Sequence, residues 1–251
     1  MEQQVQELPV RANGLSTLLN VIVAPKEAFE TLRVAPTWGW AFIVTLVLTL
    51  IGYVLLLPAS HHAGAAFLQH LQATNPTFAG MSDEAKAKMI HDAANPGTAR
   101  DIFNAVFSVL TILVAVLLNA VILLLGNAVG GGEATFKKLW SGSMNIAAPT
   151  FGLAQLVVGI IATLRGPDSF GSIMDLYRVA PGLGWFTYGL HGFAASFLSV
   201  ISVFVIWGLI LNALMMRTMA RVGPGIAWGF AALITLLGAL LAGVFGALFG
   251  G

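Results

Sequence analysis

Five stretches of about twenty residues or more contain no Asp, Glu, Lys or Arg: Trp38 to Leu57, Ile102 to Leu125, Met144 to Leu164, Phe193 to Met216 and Ile226 to Phe249. No other feature of the sequence constrains the fold as tightly. About 20 apolar residues in a helix cross a hydrocarbon core roughly 30 Å thick. In lipid every backbone N–H and C=O must be satisfied within the protein, and continuous apolar runs without period-two alternation do this as helices. The fold class that follows is all-α, a polytopic bundle of five transmembrane helices. All 12 Lys and Arg and all 11 Asp and Glu lie outside the five stretches.

Composition agrees and excludes other classes. The chain is 57% hydrophobic and 9% charged, where a soluble domain is about one quarter charged. A formal charge of +1 lacks the basic footprint of a nucleic-acid binder. Without cysteine there is no disulfide framework and no thiol nucleophile. The least defined boundary precedes the fourth stretch, where the apolar run begins near Trp185 and is interrupted by Gly189, His191 and Gly192. A tilted helix or a short interfacial helix leading into the span fits that pattern.

Orientation follows from Lys and Arg. Seven lie in the N-terminal region and the second-to-third and fourth-to-fifth connections (Arg11, Lys26, Arg33, Lys137, Lys138, Arg217, Arg221), against five on the other side (Lys86, Lys88, Arg100, Arg165, Arg178). The excess predicts a cytoplasmic N-terminus and a periplasmic, extracellular or lumenal C-terminus. Glu2 and Glu7, with no basic region leading into an apolar run, do not resemble a cleavable signal peptide.

Residues 1–37 read as a cytoplasmic N-terminal region and residues 38–251 as the five-span domain. Leu15, Leu18, Leu19 and Ile22 recur at helical spacing behind Asn13 or Ser16 as N-cap, and Pro25 opens a second short helix carrying Phe29 and Leu32 on one side. Such helices lie in the membrane interface, presenting this row to lipid or a protein partner, or else pack under the bundle. On the partner reading, removing residues 1–35 leaves the bundle folded and abolishes recruitment. The connection 58–101 is expected to form an ordered extramembrane cap of two helices, His61 to Gln72 and Ser82 to Ala93, with Ser82 as N-cap. Its four histidines (His61, His62, His70, His91) lack an i, i+4 pair, so no metal site is assigned.

Within the spans, Ala227, Ala231, Thr235, Ala239, Gly243 and Ala247 form an i+4 ridge of small residues, flanked by Gly238, Ala242, Gly246 and Gly250. Small residues let helix backbones approach, so this helix packs closely against a neighbour in the same chain or in a second copy, a homo-oligomer. The second span carries Asn104, Ser108, Thr111, Ala115, Asn119 and Gly126 along one face; the third carries Asn145, Pro149, Gly152, Gly159 and Thr163. These stripes face the bundle interior as packing groups. The alternative is a passive solute or lipid pathway lined by Asn104, Asn119, Asn145, Gln155 and Asn212. Ion-coupled transport is disfavoured because no span holds an ionisable acid or base. No H-E-x-x-H, G-x-S-x-G or P-loop pattern occurs, and Asp168, Asp175, Tyr177 and Arg178 read as a solvated loop. No catalytic residue, cofactor or metal is assigned, and lipid is the expected partner.

The stretch "NVIVAPKEAFETLRVAPTWGWAFIV", with Pro25, Phe29, Pro36 and Trp38 ahead of the first span, resembles the start of the Yip domain family. So does "LLLGNAVGGGEATFKKLWSGSMNIAAPTFGLAQLVVG", with its glycine-rich turn (Gly126, Gly130, Gly131, Gly132), Phe136 and Pro149. The resemblance implies five spans, a cytoplasmic N-terminus and a non-enzymatic adaptor or scaffold, linked in eukaryotes to membrane trafficking and small GTPases. The chain lacks the longer acidic, tyrosine-containing N-terminal region of eukaryotic members, and "MDLYRVAPG" follows the third span instead. The short N-terminal region and the Ala- and Gly-rich composition point to a prokaryotic member in a plasma (inner) membrane, without an assumed GTPase partner.

Overall fold

The computed structural model describes residues 13–249. Glu2, Glu7 and Arg11, and Gly250 of the flanking glycine row, lie outside the described residues. Two short helices, α1 (Gly14–Val23) and α2 (Pro25–Val34), precede the first span, α3 (Gly39–Thr74). Then follow α4 (Asp83–Ala94), α5 (Thr98–Val129), and α6 (Phe136–Ala147) running through a π turn into α7 (Leu153–Arg165). The chain ends with α8 (Ile173–Tyr177), α9 (Gly192–Ser199), α10 (Val203–Met215) extended by a π turn to Ala220, and α11 (Pro224–Phe249). Five helical segments are long and apolar enough to span a membrane: Gly39–Thr74, Thr98–Val129, Phe136–Arg165, Val203–Ala220 and Pro224–Ala247. The protein is an all-α, multi-pass membrane protein.

Local chemistry explains several element ends. The Asn13 side chain accepts from Leu15 N, and Ser82 accepts from Ala85 N at the start of α4. Pro149 has no N–H for the Asn145 carbonyl, and the helix accommodates this by widening into the π turn Ala148–Gly152.

Two expected boundaries are corrected. The first span does not stop at Leu57, and His61–Gln72 is not a separate helix: α3 continues through Pro58 to Thr74. Beyond the proline, Ala59 and Ala63 are buried against Ala162, Phe170 and Val179, and that packing offsets the hydrogen bond Pro58 cannot make. At 36 residues α3 is about 54 Å long, so its last turns project well beyond the bilayer, where α4 packs on them. The fourth span, expected as Phe193 to Met216, is divided. Leu183 N donates to Ile201 O (2.9 Å) and Val203 N to Pro181 O (2.9 Å), so loop 181–183 takes the backbone groups a continuous helix needs. Ser202 then caps α10, and α9 turns aside onto α11.

The tightest seam joins α3 to α7. A Cβ on Gly52 would lie 2.5 Å from the Gln155 carbonyl carbon, and one on Gly159 would lie 3.0 Å from Gly52 Cα. Thr163 Oγ1 donates across the same seam to Leu55 O at 3.1 Å. A second core sits at the N-terminal face, where Val21, Phe29 and Leu32 pack on Leu123, Leu139, Leu211 and the methionines Met215, Met216 and Met219.

Helix α11, which carries the small-residue ridge, meets α10, α5 and α9 within the chain, with Gly243 and Gly246 against Phe193 and Ser196 of α9. Ala227, Ala231, Ala239 and Gly243 are buried, whereas Ala247 is exposed and Gly246 is buried in its place against Ser196. Steps of four residues advance about 40° beyond a full turn, so five steps carry Ala247 roughly 200° from Ala227 and off the contact face.

Candidate functional site: the N-terminal face and the polar contacts beneath it

The five amides do not form one constellation. Asn119 of α5 donates through Nδ2 to Ser143 Oγ of α6 (2.8 Å) and to Asn212 Oδ1 of α10 (3.0 Å), tying three spans at one point. Asn145 lies apart, donating to the carbonyls of Thr37 (2.8 Å) and Ser141 (2.8 Å). Ser141 Oγ also donates to Thr37 O, at 2.7 Å, so the segment entering α3 is fastened to α6 by two side chains on one carbonyl. Gln155 makes no side-chain hydrogen bond among the described residues; its backbone forms the wall against Gly52. Asn104 is exposed on the far half of α5, where no residue before Val116 is fully buried. Neither of the two large cavities is lined by any of these amides. Paired amides in lipid act as ties, each worth about 0.6 kcal/mol.

The N-terminal row is divided in two. Leu18 of α1 and Phe29 and Leu32 of α2 are buried in the bundle, so these three are not open to a partner. Leu15, Leu19 and Ile22 face outward, 43%, 57% and 42% exposed. A period of 3.6 places i, i+4 and i+7 on one flank and i+3 on the next, which is why a single apolar row serves two surroundings. Because α2 supplies core residues, removal of residues 1–35 would take Phe29 and Leu32 out of that core, which counts against the expectation that the spans stay folded without it.

Asn127 has a structural role that no pattern in the sequence singled out. It is buried at the end of α5 and closes the glycine-rich turn, with Nδ2 donating to Ala134 O (3.1 Å) and Oδ1 accepting from Ala134 N (3.0 Å). Gly132 N donates to the Asn127 carbonyl and Glu133 N to Ala220 O, so the turn is fastened to the end of the fourth span. Gly131 has φ +63° in this turn, a conformation that costs other residues about 1 kcal/mol or more. The available signal was the run of three glycines, typical of a helix end, with an Asn three residues before it.

Beside this turn, α2 and the end of the fourth span enclose an open cleft of about 670 Å³. Lys26, Glu30 and Arg33 line it from α2; Leu214, Arg217 and Arg221 line it from the other wall. Arg221 pairs with Glu133 at 3.3 Å.

On the opposite face the loop expected to be solvated is organised around Arg178. Its side chain is 11% exposed, donates from Nε to Thr187 Oγ1 (3.0 Å) and from Nη2 to Thr187 O (2.9 Å), and lies over the Tyr188 ring. A second cavity, about 620 Å³, lies between this loop, α9 and α11. His61 pairs with Asp101 (2.9 Å) and His62 Nδ1 meets Phe170 O (3.1 Å), tying α3 to α5 and to the third-to-fourth connection. Among the described residues no three His, Asp or Glu gather where they could hold a metal ion.

These features define a multi-pass helical membrane protein whose N-terminal helices are built into the bundle and in which Asn119, Asn145 and Asn212 are hydrogen-bonded to other protein groups. The Yip1 domain family model matches residues 19–248, nearly the whole described chain, and the protein belongs to that family. It is similar to the membrane protein YknW of Bacillus subtilis (strain 168), at 25% identity over 229 residues, covering 91% of this chain and 89% of that protein. No solved structure matches it.

Proposed function

We propose that the protein is a non-enzymatic membrane adaptor of the Yip1 family, with a cytoplasmic N-terminus, recruiting a protein partner to the surface formed by α1 and α2. The observation that carries this reading is the divided N-terminal row. Leu18, Phe29 and Leu32 are buried and anchor the helices, and Leu15, Leu19 and Ile22 are thereby presented outward. An anchored apolar row loses little entropy on being covered, which favours association. A conduit through the bundle draws no support from the amides, since Asn119, Asn145 and Asn212 are engaged in hydrogen bonds with protein groups.

The test places a photo-cross-linking residue at Leu19 and, as a lipid-facing control, at the equally exposed Leu118 of α5, in native membranes. The adaptor reading expects a discrete protein adduct from Leu19 that Leu15→Glu diminishes, and lipid adducts alone from Leu118. Lipid adducts alone from both positions would overturn it.

A further inference from the structure

The cleft on the N-terminal face gathers charge that the fold leaves unneutralised. Lys26, Arg33, Arg217 and Arg221 line it against a single carboxylate, Glu30. Arg221 is already paired with Glu133, whereas Lys26, Arg33 and Arg217 form no ion pair with any described carboxylate. The cations come from segments almost two hundred residues apart in the chain. Packing forces them together: Phe29 and Leu32 of α2 share a core with Met215, Met216 and Met219, so the two charged rims must face each other. Converging like charges raise the local potential and favour an anion in the space between them. Guanidinium groups on opposite walls suit phosphate oxygens through forked hydrogen bonds.

The depth of the cleft narrows the anion further. Leu214 lies six residues before the end of the fourth span, about 9 Å toward the bilayer centre, so an apolar floor sits below a cationic mouth. A free phosphate would fill only the mouth. A phosphodiester carrying acyl chains fills both levels, and the volume is within the range of about 300–1,000 Å³ usual for small-molecule sites. We propose that this cleft binds the phosphate of an anionic phospholipid headgroup, with Arg33 and Arg217 as its contacts and Lys26 at the rim. The assignment does not depend on the adaptor reading, because that reading rests on Leu15, Leu19 and Ile22 of α1 and the cleft is lined from α2.

Native mass spectrometry of the full chain in detergent, titrated with phosphatidylglycerol, phosphatidylcholine or inorganic phosphate, tests it. The wild type should retain phosphatidylglycerol in preference to phosphatidylcholine, and millimolar inorganic phosphate should fail to displace it. Each cation near a lipid surface contributes roughly fivefold, so R33Q/R217Q should weaken retention about thirtyfold. K137Q/K138Q, on the same face but outside the cleft, should leave retention nearly unchanged. E30Q removes the opposing charge without deleting a cation and should strengthen retention several-fold, so it decides the matter even if the double arginine variant is poorly folded. Equal retention of the two lipids, equal effects of the two double variants, an unmoved E30Q, or displacement by inorganic phosphate would each overturn the proposal.

Discussion

Replacing Gly52 by Ala should weaken the bundle, although the same substitution in an unobstructed helix strengthens it. The added Cβ would stand 2.5 Å from the Gln155 carbonyl carbon and 2.6 Å from Leu156 N. Comfortable contact is about 3.5 Å, so α3 and α7 must part by roughly 1 Å, and a gap of that size forfeits a quarter to a half of each nearby dispersion contact. Overpacking of this kind costs about 1–3 kcal/mol, and the upper half applies because the obstructing atoms are backbone and cannot swing aside. Helix propensity opposes this by at most about 1 kcal/mol. The net expectation is destabilisation by about 1–2 kcal/mol. Gly64 lies on the same helix with nothing within 4 Å of its added Cβ, so Gly64→Ala isolates the propensity gain. Unfolding of the purified protein in mixed micelles with increasing SDS, followed by far-ultraviolet circular dichroism, compares the two. The reasoning fails if Gly52→Ala is as stable as Gly64→Ala, since the α3–α7 approach would then not be limiting.

Two further outcomes follow from the polar ties. In a double-mutant cycle, Asn119→Leu and Asn212→Leu should show a coupling near 0.6 kcal/mol in the same assay, about the average for such bonds in lipid; additive effects would mean that the amides do not meet. Asn127→Ala should cost about 1–3 kcal/mol by leaving the buried Ala134 N–H and C=O without their partner, and limited proteolysis should cut faster within residues 130–135.

Some of this was legible in one dimension and some was not. The row Leu15, Leu18, Leu19, Ile22 predicts an amphipathic helix correctly, yet periodicity cannot say that Leu18 enters the core while Leu19 stays outside. That division depends on where Ala41, Val116 and Met144 sit. The break between α9 and α10 was equally hidden, because the competing hydrogen bonds come from loop 181–183, roughly twenty residues upstream. Arg178 read as a loop cation because its partners, Thr187 and Tyr188, are placed by that same loop's fold.

The sequence by itself determined five helices long and apolar enough to cross a membrane, and it placed every Asp, Glu, Lys and Arg outside their apolar stretches. Those are sums of transfer free energy along contiguous residues, and contiguity is what a sequence records. Only the tertiary structure decided that Asn119 meets Asn212 while Asn104 stays exposed beside Tyr53, that Gly52 lies against Gln155, and that the cations of α2 and of the fourth span surround one cleft. Each of these is a relation between residues far apart in the chain, set by which apolar faces can be covered together. Charges and amides follow where the packed helices carry them.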